Sequence, residues 1–199
     1  AFRAARAVTD MRTRLGIPAG AVVFLSISRL FAMKGLEDIL ETVRAAQVHA
    51  PNSVFALFVG DGPLRLPLMH AAAQAGLTGC VHFAGRVAPT AIAHWVAAAD
   101  VVVHASLREG LARAVVQGLA GGKPVVTYDV GGAREVVRDG VNGFVVPAGD
   151  RALLQQRAWQ LVRDAELRAA LARGAAVTDL SRFEADHMVA EIEKLYSAI

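Results

Sequence analysis

The sequence predicts an α/β fold: one domain with a roughly six-stranded parallel sheet, helices on both faces and a C-terminal helical tail. Three observations predict it. Short apolar runs rich in valine recur along the first three quarters of the chain, each followed by a segment of helical period. Near-continuous apolar strands of this kind occur in parallel sheets covered on both faces. The glycine-rich and charged loops fall directly after strands, and that end of a parallel sheet is where ligands bind.

The elements follow in order. Ala21–Ser28, after Gly-Ile-Pro-Ala-Gly, reads as a first buried strand. Gly35–His49 carries Leu36, Ile39, Leu40 and Val43 at helical spacing. Ser53–Val59 is a second strand, and Leu64–Ala75 a helix with Pro67 in its first turn. Val81–Ala84 is a short strand, and Pro89–Ala99 a helix opened by proline, which suits a helix start. Asp100–Ala105 is a strand, Gly110–Ala120 a helix, Pro124–Tyr128 a strand and Ala133–Arg138 a short helix. Gly143–Val146 is the last strand, and from Asp150 onward the pattern is helical.

Composition narrows the function. A chain of 199 residues that is 54% hydrophobic buries a sizeable core as one domain. The formal net charge is only +3, and all basic residues but Lys34, Lys123 and Lys194 are arginines. Such a mild, scattered excess suits an anionic small ligand and argues against nucleic acid. Cys80 is the single cysteine, so an internal disulfide is excluded and a reducing, cytoplasmic compartment is expected. The six histidines show no short metal-ligand spacing, and no Asp-x-Asp pair is present, so no metal site is expected. No uncharged apolar stretch reaches the roughly 18 residues of a membrane span. Arg3, Arg6, Arg12 and Arg14 make the N-terminus basic, and a solvated amphipathic helix is the preferred reading over a membrane contact.

Four loops compete as sites. In Ser28–Gly35, Arg29 and Lys34 flank a loop that enters a helix; a planar guanidinium and a mobile ammonium would match a diphosphate. The alternative pairs these cations with Glu37 or Asp38. Gly60-Asp61-Gly62-Pro63-Leu64-Arg65 opens like a dinucleotide fingerprint, but arginine replaces its third glycine and it follows the second strand, so a tight turn is preferred. Gly118–Lys123 fails as a phosphate loop because Gln117 and Pro124 stand at its required positions. In the fourth, Glu109 precedes a helix whose first amides, those of Gly110, Leu111 and Ala112, lack intrahelical partners and can take an anion. Gly110 would let backbone approach a ligand closely. Gln117 lies two turns further in, roughly 12 Å along the axis, so the two side chains would address different parts of one elongated ligand.

Arg29…Lys34-Gly35, Gly60-Asp61-Gly62-Pro63-Leu64, Val81-His82-Phe83-Ala84-Gly85, Glu109-Gly110…Gln117, Gly122-Lys123-Pro124-Val125-Val126 and Gly131-Gly132…Glu135-Val136-Val137 occur in order. In this the chain resembles the C-terminal half of a retaining, GT-B-fold glycosyltransferase of family four, the glycosyl transferases group 1, over residues 8–197. The resemblance implies a Rossmann-like core over 15–148, a helical tail over 149–199, and a separate N-terminal acceptor domain as partner. It implies a nucleotide-sugar donor as substrate, no cofactor, and at most peripheral membrane contact in the full-length protein.

Residue by residue, the resemblance puts Arg29 and Lys34 on the diphosphate, beside Gly35, and Glu109 on donor-sugar hydroxyls. Amides of Gly110, Leu111, Arg113 and Ala114 would meet sugar or phosphate, and backbone at Arg86 and Val87 the base. Gln117 stands where similar enzymes commonly have a second glutamate on the ribose; a neutral amide there would cost roughly 1–2 kcal/mol of nucleotide binding. The isolated chain is expected to be inactive. A non-catalytic nucleotide-binding module and, further off, a dinucleotide-dependent oxidoreductase are the competing readings. The last helix, Phe183–Ile199, shows Phe183, Met188, Ile192 and Leu195 on one face, which favours self-association of the fragment.

Overall fold

The computed structural model describes residues 10–197. Strands β1 (Val22–Ile27), β2 (Val54–Val59), β3 (Val81–Gly85), β4 (Val101–His104), β5 (Val125–Tyr128) and β6 (Gly143–Val146) form one sheet ordered β3-β2-β1-β4-β5-β6. All pairings are parallel. The six-stranded parallel sheet therefore stands as expected.

Alternate residues of each strand feed opposite faces. Val22 and Phe24 of β1 join one core with Ala56 and Phe58, and Val23 and Leu25 join the other with Leu57 and Val59. This two-sided burial is why the strands read as unbroken apolar runs. Helices α2 (Leu36–His49), α3 (Arg65–Gln74) and α7 (Arg151–Arg163) cover the first face. Helices α1 (Asp10–Arg14), α4 (Ile92–Ala98), α5 (Arg113–Ala120) and α6 (Ala133–Val136) cover the second. Helix α8 (Ala165–Ala176) places Leu171 in one core and Ala175 in the other, and α9 (Ala185–Ser197) follows.

Most ends are trimmed by a residue or two, but three expectations need correction. The helix predicted over 89–99 opens with a 3-10 turn, Pro89–Ala91, before α4. The helix expected from Gly110 begins three residues later, at Arg113, with Ala112 in extended backbone as its cap. Arg12 is not merely solvated: its Nε donates to the Ala98 carbonyl (2.8 Å) and its guanidinium pairs with Asp100 (2.7 Å), tying α1 to the start of β4. Arg3 and Arg6 lie outside the described residues, as does the end of the predicted last helix. Its apolar face is exposed: Met188 is 57% and Leu195 69% accessible. Among the described residues no helix is long and apolar enough to cross a membrane.

The strand order fixes where a site can form. The chain runs outward from β1 through β2 to β3, then returns to place β4 against the other side of β1. The sheet therefore reverses its winding between β1 and β4, and a crevice opens beyond their carboxyl ends. The loops leaving those two strands carry Arg29 and Lys34, and Glu109.

Candidate functional site

Backbone contacts lock the two loops together. Met33 O accepts from Leu107 N (2.9 Å) and from Ser106 Oγ (3.2 Å). Gly35 sits at φ +60°, and a Cβ there would lie 1.9 Å from the Ala105 carbonyl oxygen. Only glycine lets the Lys34 turn seat against the end of β4. The turn through Gly60-Asp61-Gly62 supports the first loop from behind: Leu30 N donates to Asp61 O (2.9 Å), and Leu64 N to Leu30 O (3.0 Å). The tight-turn reading of that motif holds, and the turn positions a site loop.

A second support explains the late helix start. Gly132 N donates to Gly110 O (2.5 Å), and Gly131 is packed so closely that a Cβ would lie 1.9 Å from the same oxygen. The Gly110 carbonyl is thus engaged by the β5–α6 loop, and residues 110–112 stay outside the helix. Gln117 is consequently only the fifth residue of α5, about 6 Å along the axis from Arg113, and Glu109 is not on the same helix, so the axial spacing of roughly 12 Å between Glu109 and Gln117 does not apply.

Between these loops lies an open cleft of about 640 Å³. Of the residues singled out in the sequence, Arg29, Lys34, Arg86, Val87, Glu109, Leu111, Arg113, Ala114 and Gln117 line it. Gly35 and Gly110 are not among its lining residues: Gly35 is buried against Ala105, and Gly110 is exposed to solvent. Four cations, Arg29, Lys34, Arg86 and Arg113, face the cleft against two carboxylates, Asp61 and Glu109. Arg113 and Ala114 open α5, where amides lack intrahelical acceptors, so the cleft combines positive side chains with a helix N-terminus. Among the described residues no three His, Cys, Asp or Glu side chains gather as a metal centre.

At the centre, Lys34 Nζ donates to Glu109 Oε1 across 75 residues of sequence. The alternative partners are excluded for Lys34. Asp38 is buried, accepting from Tyr128 Oη (2.8 Å) and pairing with Arg151 (2.6 Å), while Glu37 is exposed. His104, the last residue of β4, went unremarked in the sequence because it ends an apolar run. It is 5% exposed, its Nε2 lies 3.6 Å from Glu109 Oε1, and that nitrogen has no hydrogen-bond partner. A polar residue closing a buried strand beside the winding reversal is the signal that marks it.

His104 and Lys34, against partial burial, hold the Glu109 carboxyl well below its usual 4.5, at about 2. Glu109 is therefore an anion at neutral pH, able only to accept hydrogen bonds. Because its folded value is depressed, its stabilising contribution is present above about pH 4.5 and lost as pH falls through about 2. Solvent reaches the side chain, which is 22% exposed, and that screening brings the contribution to about 1–2 kcal/mol. Urea unfolding at pH 6, 4 and 2.5 should show Glu109→Gln lacking this component of the acid loss. Identical pH slopes in both proteins would refute it.

Residues 8–177 match the family described as Glycosyl transferases group 1. The chain is 34% identical over 187 residues to the 2-deoxystreptamine N-acetyl-D-glucosaminyltransferase of Streptomyces fradiae, covering 93% of this chain and 44% of that protein. It is 34% identical over 178 residues to the lipopolysaccharide core biosynthesis glycosyltransferase LpsE of Rhizobium meliloti, covering 89% and 50%. Among solved structures, Anabaena HepE in complex with UDP and glucose superposes with a TM-score of 0.85 at 29% identity, covering 96% of this chain and 52% of that one. The chain thus spans about half the length of the curated relatives it matches.

Proposed function

The chain belongs to the glycosyl transferases group 1, and on that premise we propose that it is the nucleotide-sugar-binding half of a retaining glycosyltransferase acting in the cytoplasm. The observation that carries the reading is the cleft between the β1 and β4 loops, where Lys34, Arg29 and Arg113 gather at the start of α5 beside an ionised Glu109. A nucleoside diphosphate needs cations and free amides; a hexose needs hydrogen-bond acceptors for its hydroxyls. Both are present within one crevice.

In the proposed reaction the bond between the anomeric carbon and the diphosphate breaks, the carbon bonds to an acceptor hydroxyl oxygen with its configuration retained, and the hydroxyl proton passes to the departing diphosphate oxygen. The diphosphate leaves with the electron pair. Arg29, Lys34 and the α5 amides stabilise the growing charge in place of a metal, an electrostatic contribution that is commonly the largest in catalysis. Glu109 orients the sugar, Gln117 the ribose, and the backbone at Arg86 and Val87 the base. The acceptor site belongs to a second domain packed over this cleft, so the 199-residue chain alone binds donor without turning it over.

Calorimetric titration with UDP, GDP, ADP and NAD tests the assignment. One or more of the nucleoside diphosphates should bind, and NAD should not. A preference for NAD would sink the glycosyltransferase reading in favour of a dinucleotide domain. That alternative is already weakened by the position of Gly60-Asp61-Gly62 after β2 rather than β1.

A further inference from the structure

His104 has no place in the scheme above, yet it lies against the centre of the site. It is buried, and its Nε2 has no hydrogen-bond partner although such a group is costly to leave unpaired. That nitrogen lies 3.6 Å from Glu109 Oε1, the same carboxylate oxygen that Lys34 Nζ holds. A void of about 10 Å³ lined in part by His104, Glu109 and Thr127 adjoins the pair, leaving room for a small adjustment.

Lys34 faces a conflict on the proposed nucleotide-sugar reading, on which this inference rests. Its ammonium is engaged by Glu109, and a diphosphate entering the cleft competes for the same charge. Once Lys34 turns to phosphate, Glu109 is left as a half-buried anion beside another anion. We propose that His104 is a positioning residue that takes over the Glu109 carboxylate as the diphosphate draws Lys34 away. With its proton on Nε2, the imidazole donates to Glu109 Oε1 after closing a gap that now measures 3.6 Å. The unpartnered nitrogen is thus a donor held ready, and Glu109 stays fixed for the sugar hydroxyls.

A residue that matters only for packing and one that hands over a carboxylate differ in measurable ways. His104→Leu removes the unpaired nitrogen from an apolar strand end, so the thermal midpoint should hold or rise. UDP affinity by calorimetry should nonetheless fall about tenfold, the lower end of what an unpaired charged group costs. His104→Gln, which keeps a donor, should retain affinity within about threefold of wild type. In a Glu109→Gln background, which has no carboxylate to hand over, adding His104→Leu should change UDP affinity no further. Should the leucine variant misfold, His104→Met supplies the same comparison with a more pliant side chain. Unchanged UDP binding in the single variant, or an equal loss in both backgrounds, overturns the proposal while leaving the nucleotide reading intact. Absence of UDP, GDP and ADP binding in the wild-type chain overturns both.

Discussion

Lys34→Ala is expected to weaken UDP binding about a hundredfold while changing uridine binding less than about threefold. Two effects act in the same direction. The variant loses a charge-assisted contact to phosphate, worth about 1.5–3 kcal/mol. It also leaves the cleft one positive charge short beside Glu109, whose Oε1 Lys34 Nζ contacts, so the carboxylate's repulsion of phosphate is less well offset. The diphosphate then meets a carboxylate that is ionised at neutral pH, with His104 alone left beside it. Together these reach about 3 kcal/mol, or roughly two powers of ten in Kd. The nucleoside carries no phosphate and feels neither effect. Calorimetry with UDP and uridine on the same preparations decides the matter. Equal losses for both ligands would mean that Lys34 does not hold phosphate. The absolute drop should shrink at high salt, since part of it is repulsion across a cleft open to solvent.

That pairing also marks where sequence reading reaches its end. The strands were legible because burial on both faces leaves no polar residue to interrupt Val54–Val59 or Val101–Val103, and their parallel sense followed from the alternation with helices. Lys34 and Glu109 were each legible as loop charges after a strand. Their bond was not, since it joins residues 75 apart and depends on the order that sets β4 beside β1. The start of α5 was misread for a related reason. Leu111 and Ala112 are good helix formers, and nothing nearby forbids a helix from Gly110. What holds them out is the Gly131-Gly132 turn on the Gly110 carbonyl, a tertiary contact from 21 residues downstream. His104 escaped because an apolar run ending in histidine reads as a strand end, and only the fold shows that it lies against Glu109.

Gly35→Ala should be the most damaging single methyl in the site, lowering stability by about 4 kcal/mol and the thermal midpoint by roughly 8–16 °C. The first part of the cost is conformational. Gly35 sits at φ +60°, where an L-residue is about 1 kcal/mol less stable than glycine. The larger part is contact. The new methyl would stand 1.9 Å from Ala105 O, a backbone atom at the end of β4 that cannot rotate away. To relieve it, the Lys34 turn must lift from the strand and break the bond from Leu107 N to Met33 O that joins the two loops. Lys34 then leaves Glu109, so UDP affinity should fall with stability. Gly149→Ala separates the two costs. That glycine has φ +80° and nothing within 4 Å of a built Cβ, so it bears the conformational cost alone, about 1 kcal/mol. Thermal melts of the two variants side by side are decisive: a Gly35→Ala loss no greater than that of Gly149→Ala would mean that the close approach of Gly35 to β4 does not hold the site loops together.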